Sequence, residues 1–151
     1  MLVVRFQMGG SPYALPVRHV LEVVPRAELR PLPLAPAWAA GLLMYRRTVV
    51  PVVDLSAFVG GEAHHAFSTR IIILRASHGA TALGLLADRV TDVENVTDAM
   101  MQTLPMVVND APWLGRVYTC SFTGQMVCLV EPDTLLPAEV RQSLAQAAGV
   151  A

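Results

Sequence analysis

The chain has 151 residues, 54% of them hydrophobic and 15% charged, with a net charge of −1 and a pI near 6.4. That is room for one ordinary domain, or two small ones sharing a core, with ample material to bury. No basic run exceeds the pair Arg46-Arg47, so the electrostatic footprint of a nucleic-acid or anionic-membrane binder is missing, and a thinly charged surface favours protein partners.

The first expected strand is Leu2 to Met8, closed by the turn signal Gly9-Gly10-Ser11-Pro12. Tyr13 to Val17 resumes extended structure, Arg18-His19 interrupts it, and Val20 to Val24 continues it to Pro25. Pro31-Leu32-Pro33 is extended, and Pro36 to Ala40, with proline at its start, suits one helical turn. The stretch from Gly41 to Leu55 organises the rest. Its apolar runs, Leu42 to Tyr45 and Val49 to Val53, are separated by Arg46-Arg47-Thr48, a gap that fits only a turn between antiparallel strands. Pro51 cannot donate to a ladder, which places its strand at an edge or a bulge. Asp54 closes that strand and is positioned to cap the short turn Leu55 to Val59, before Gly60-Gly61 ends it.

Beyond a loop holding Glu62, His64 and His65, the run Arg70 to Leu74 is apolar on both faces and reads as a central strand. Ser77-His78-Gly79 turns it back into a strand from Thr81 to Leu86. Ala87-Asp88-Arg89 interrupts, and Val90 to Val96 is a further strand. Thr97 to Pro112, with Met100, Met101 and Met106, lacks periodicity and reads as an irregular connection. Val117 to Phe122 and Gln125 to Val130 flank Thr123-Gly124 as a second hairpin. Pro137 to Ala148 carries Val140, Leu144 and Ala148 at four-residue spacing with Gly149 beyond, the pattern of an amphipathic terminal helix.

Leu15 to Val23 aligns with Leu85 to Val93 at a constant offset of 70 residues. Trp38-Ala39-Ala40-Gly41 leads into the first hairpin and Trp113-Leu114-Gly115 into the second, and the hairpins end on Asp54-Leu55 and Glu131-Pro132. The shared order points to two similar halves of about five short strands each, a number suited to a small closed barrel.

These residues resemble a known family. Tyr13-Ala14-Leu15-Pro16-Val17 with Val20 and Glu22-Val23, then Pro33, Pro36, Trp38 and Gly41-Leu42 leading through Arg46 to Val49-Val50-Pro51-Val52-Val53-Asp54-Leu55, then Gly84-Leu85-Leu86 with Asp88, Val90 and Asp92-Val93, are similar to a CheW-like coupling domain from about Leu2 to Leu136. The resemblance implies an all-β fold with short helices: two intertwined five-stranded SH3-like barrels plus the C-terminal helix, forming one domain of two pseudo-repeated subdomains. It implies a non-enzymatic cytoplasmic adaptor, recruited to receptor arrays, that joins methyl-accepting chemoreceptors to a CheA-type histidine kinase. It also implies a receptor contact at Arg46. The family's hairpin tip usually reads Asn-Leu-Arg-Gly, whereas Met44-Tyr45-Arg46-Arg47 stands here, so Arg47 occupies the glycine's place. Tyr45, Ser68-Thr69-Arg70 and Gly84-Leu85-Leu86-Ala87 resemble the CheW-type adaptors of Wsp surface-sensing systems.

The receptor- or kinase-binding set expected from the hairpin and the repeat is Val20, Glu22, Gly41, Arg46, Arg47, Val90 and Asp92. Val20 and Val90 are equivalent in the repeat, each two residues before an acid, and equivalent positions in two barrels can meet at a shared seam able to receive a partner helix. Core burial of both valines is the competing expectation. No catalytic, cofactor or metal site is expected. All eleven basic residues are arginine, which removes the P-loop lysine, Schiff-base chemistry and the receiver-domain lysine. Adjacent His64 and His65 point opposite ways on an extended loop, with no spacing that completes a metal set. Cys120 and Cys128, without a signal peptide, point to reduced thiols, although facing strands of one hairpin could bring them together. The longest uncharged stretch, Pro31 to Tyr45, is broken by prolines and too short for membrane insertion. Two other readings stay open at this stage: a pair of barrels that binds nucleic acid, and a small hydrolase centred on His64 or Asp54.

Overall fold

A computed structural model describes residues 1–60, 67–75, 82–104, 113–135 and 142. Among the described residues eleven strands form two sheets: β1 (Leu2–Met8), β2 (Ser11–Pro16), β3 (Val20–Pro25), β4 (Ala39–Tyr45), β5 (Thr48–Asp54), β6 (Arg70–Leu74), β7 (Leu83–Ala87), β8 (Val93–Asn95), β9 (Gln102–Thr103), β10 (Leu114–Thr119) and β11 (Met126–Val130). One sheet has the order β8-β1-β2-β11-β10-β9 and the other β3-β6-β7-β5-β4. The chain therefore starts in the first sheet, builds the second from β3 to β7, and returns to the first.

The two sheets repeat one plan. In each, a central antiparallel pair (β1 with β2, β6 with β7) is flanked on one side by an antiparallel edge strand and on the other by a parallel partner that belongs to a hairpin. The hairpins share a register shift after their first residue, between Ala39 and Gly41 in one and Leu114 and Arg116 in the other. Asp54 N donates to Trp38 O at 2.7 Å, and Glu131 N donates to Trp113 O at 3.1 Å. Since β2 leads into the opposite sheet through β3, and β7 into the opposite sheet through β8, each half of the sequence gives two strands to one sheet and the rest to the other. This is the intertwined fold that the family resemblance implies, and it agrees with the two halves read from the repeat; the six-stranded sheet exceeds five only through the two residues of β9.

Both faces of the central strands are buried, and the period of two divides their side chains between cores. Ile72 and Leu74 join Val4, Phe6, Met8, Leu15, Leu85 and Val130 in a core shared by the two sheets. Ile71 and Ile73 instead pack with Leu43, Val52 and Leu86 inside the second sheet, while Val3, Ala14, Val127 and Leu129 fill the first. Each fully buried Ile stabilises the fold by about 1.5–3 kcal/mol relative to exposure. Trp38 and Trp113 are linked through Phe58, at 5.9 and 6.3 Å between ring centroids, so the equivalent tryptophans meet at the seam.

Four local expectations are corrected. Pro36 to Ala40 is not helical: Ala39 N donates to Pro36 O in a β-turn and Ala39 already pairs with Val53, because the following apolar run extends its ladder backwards. Pro51 is not on an edge strand, since β5 lies between β4 and β7. Counting from the turn pair Tyr45–Thr48, its nitrogen falls in a non-hydrogen-bonded position facing away from β4, and pairing with β7 begins only at Val52. The strand expected from Val90 to Val96 is confined to Val93–Asn95. Ahead of it, Asp88 bonds to Gln7 in both directions and Arg89 adopts φ +46°, the corner at which the chain changes sheets. The strand expected to reach Phe122 ends at Thr119 in a turn closed by Gly124 N on Cys120 O at 2.8 Å.

Asp54 caps the one-turn helix α1 (Leu55–Phe58) as expected, accepting from Ala57 N at 3.3 Å. A second single turn, α2, spans Pro132–Leu135. The helix expected over Pro137 to Ala148, the loop with Glu62, His64 and His65, and the turn Ser77-His78-Gly79 lie outside the described residues.

Candidate functional site

The tip of the β4–β5 hairpin is tighter than its sequence suggests. Tyr45 pairs with Thr48, so Arg46 and Arg47 alone form the turn. Their φ values are +45° and +65°, the type I′ signature whose twist matches the strands it joins. Non-glycine residues pay roughly 1 kcal/mol each for that region. Both arginines are exposed at this turn.

Tyr45 OH donates a short hydrogen bond to Glu22 Oε2, and Arg46 Nη2 lies 3.3 Å from the same oxygen. The Arg46 guanidinium also sits 5.3 Å from the centroid of the Tyr45 ring, within cation–π range. Glu22 is on β3 and Tyr45 on β4, the two ends of the sheet order, so this contact closes the sheet into a barrel where no backbone ladder does. The hydrogen bond to Glu22 holds the Tyr45 phenol above its usual pKa, with desolvation adding and the Arg46 charge opposing. Among the described residues Arg47 forms no ion pair.

Gly41 is set apart from the tip. It is buried with φ +142°, and a Cβ there would lie 2.5 Å from Arg30 O. Arg30 and Leu42 exchange backbone hydrogen bonds of 2.8 and 2.9 Å, so the segment after β3 lies across the outer edge of β4 at this point. Gly41 presents no side chain to a partner and acts by letting the two backbones meet.

Val20 and Val90 are both half-buried and both pack against the core that the two sheets share. Asp92 is exposed, 3.9 Å from Arg5 Nη2. Exposed Leu21 and Val23 alternate with Glu22 along β3 and add an apolar strip that the sequence reading missed. The clue was the alternation itself, partly hidden by a register shift between Val20 and Glu22. The clasp of Glu22 with Tyr45 and Arg46 was also missed, since no local pattern couples residues so far apart in sequence.

Among the described residues no group of histidine, cysteine and acidic side chains is placed to hold a metal. Asp54 is buried and occupied as a helix cap, beside an open pocket of about 400 Å³ lined by Arg26, Leu29, alanines and Leu86. Cys120 and Cys128 are free thiols, and burial pushes the Cys128 thiol above its usual pKa. Cys128 faces Val117 while Cys120 lies beyond the end of β10, so the hairpin register keeps them apart. No helix among the described residues is long and apolar enough to cross a membrane.

The CheW-like domain family matches residues 2–140. The chain is 30% identical over 141 residues to the chemotaxis protein CheW of Rhizobium meliloti, covering 93% of this chain and 90% of that one. It is 31% identical over 102 residues to the protein FrzA of Myxococcus xanthus, covering 67% and 62% respectively. Its fold is similar to the crystal structure of the scaffolding protein TtCheW from Thermoanaerobacter tengcongensis, with a TM-score of 0.75 at 23% identity over 86% of this chain and 83% of that one.

Proposed function

We infer, for a chain that belongs to the CheW-like domain family, that this adaptor couples the cytoplasmic tip of a methyl-accepting chemoreceptor to a CheA-type histidine kinase. The observation that carries this is the family match over residues 2–140, which includes the whole Gly41 to Leu55 hairpin. The geometry supports it: the two sheets share a core against which Val20 and Val90 both pack, each two residues from a surface acid, Glu22 and Asp92. A receptor helix laid along the seam between the sheets would meet apolar contacts centrally and carboxylates at the rim, with Arg46 and Arg47 at the hairpin tip. The protein works as a scaffold in the cytoplasm, recruited to receptor arrays.

Binding is tested with a soluble cytoplasmic fragment of a chemoreceptor and a purified CheA-type kinase. The expected result is a complex of all three proteins that depends on the adaptor. An adaptor that binds neither protein sinks the proposal. A salt-sensitive shift with single-stranded nucleic acid would favour the rival barrel function.

A further inference from the structure

The two arginines of the hairpin tip are adjacent but not equivalent. Arg46 is folded back on the protein: its guanidinium shares Glu22 Oε2 with the Tyr45 hydroxyl and rests over the Tyr45 ring. Its charge is answered within the clasp. Arg47 is exposed, forms no ion pair among the described residues, and holds φ +65°, where glycine would sit without strain. The equivalent tip between β10 and β11 carries no charge across Ser121 to Gln125, and Gly124 there takes the positive φ at +70°.

We propose that Arg47 is the specificity-determining residue of the tip and reads a carboxylate on the receptor helix, while Arg46 is a positioning residue that fixes the turn against β3. This rests on the coupling role inferred above and assigns its charge recognition to a single side chain. A guanidinium at the apex of a two-residue turn has its donors free on every side except that of its own backbone. Its fork matches a carboxylate, so the partner group is an aspartate or glutamate exposed on the helix. Glu22 is already occupied by two donors, which leaves Arg47, among the described residues, the uncompensated charge of the hairpin.

The test titrates a soluble chemoreceptor cytoplasmic fragment against the full chain and against Arg47→Gln, Arg47→Gly and Arg46→Gln at several salt concentrations. Arg47→Gln is expected to weaken binding about tenfold and to flatten its salt dependence, with Arg46→Gln costing less than about threefold. Arg47→Gly is expected to raise the melting temperature while lowering affinity, a split that a purely structural arginine does not produce. Unchanged affinity in Arg47→Gln, or a larger loss in Arg46→Gln, overturns the assignment and leaves the coupling role standing. Failure of the unaltered chain to bind the fragment overturns both.

Discussion

Glu22 and Glu94 sit on equivalent edge strands, β3 and β8, and each collects donors from the hairpin at the far side of its own sheet. Glu22 takes the Tyr45 hydroxyl and the Arg46 guanidinium at a surface where its side chain remains 40% exposed. Glu94 is 4% exposed and accepts from Tyr118 OH at 3.3 Å and Cys120 Sγ at 3.4 Å. Arg5 Nε lies 2.8 Å away as an ion pair, with its N–H not aligned on the oxygen. Tyr45 and Cys120 occupy corresponding positions, offset by 75 residues like Trp38 and Trp113. One closure is thus dry and fixed, while the other is wet and open to a partner. A carboxylate sealed from water contributes to fold integrity, and one left half in water can exchange its partners at little cost.

Removing each carboxylate tests that contrast most strongly. Glu94→Ala removes the buried partner of Arg5, whose side chain is only 14% exposed, and leaves it the solvent-exposed Asp92 carboxylate at 3.9 Å, so denaturant unfolding should show a loss of about 3 kcal/mol. Glu22→Ala should cost less than about 1 kcal/mol, the usual worth of a surface pair. Equal losses would erase the distinction between the two closures.

The hairpins differ in the same sense one step earlier. Gly41 and Arg116 both follow the register shift, and a crossing segment pairs beside each, Arg30 with Leu42 and Thr103 with Arg116, but a Cβ at position 41 would meet the Arg30 carbonyl whereas position 116 carries a full side chain. Gly41→Ala should destabilise by about 1–3 kcal/mol through its φ of +142° and the contact with Arg30 O. Arg116→Ala, whose ion pair with Glu131 is 3.7 Å long and partly exposed, should change stability by less than about 0.5 kcal/mol.

Alkaline pH separates the two closures without a change of size. Desolvation, followed by the charge of and hydrogen bond to Glu94, raises the Tyr118 pKa above 10. A phenol whose folded pKa exceeds its unfolded value holds its proton more tightly in the native state. Stability is therefore full below pH 10 and falls as the pH rises above it. Tyr45 is raised too, chiefly by its hydrogen bond to Glu22, but at an exposed position. Tyr118→Phe should flatten the alkaline loss of stability clearly, and Tyr45→Phe much less. The reverse ranking would place the tighter closure at the surface.

The sequence made most of the fold legible, because period and punctuation act locally. Leu2 to Met8 and Arg70 to Leu74 coincide with β1 and β6, and the offset of 70 residues marks the two crossings between sheets. Pro51 misled because a proline excludes a ladder on one side only, and which side faces a neighbour depends on where β7 begins to pair. The candidate site was legible as a set of residues but not as contacts. Glu22, Arg46 and Arg47 stood out by position, yet the division of labour between the arginines depends on sheet closure, which joins β3 to β4 across the whole order of the sheet. Arg5 and Glu94 gave no signal, since a charge on an alternating strand reads as surface until the opposite face is known to be covered.

The seam between the sheets is expected to show its effect in binding rather than in stability. Val20 and Val90 lean on the shared core from the two crossing segments, and each remains half-exposed. An added side-chain length can extend along open surface without displacing neighbours, so Val20→Met and Val90→Met should each alter stability by less than about 1 kcal/mol. In a filled core the same volume costs about 1–3 kcal/mol. The docking role predicts that the extra bulk instead weakens binding of a chemoreceptor cytoplasmic fragment, with both valines contributing because one helix along the seam would touch each half of the repeat. Thermal melts beside titrations separate the outcomes. Lost stability with intact binding would return both valines to the core, and an effect confined to one of them would place the helix on a single sheet rather than on the seam.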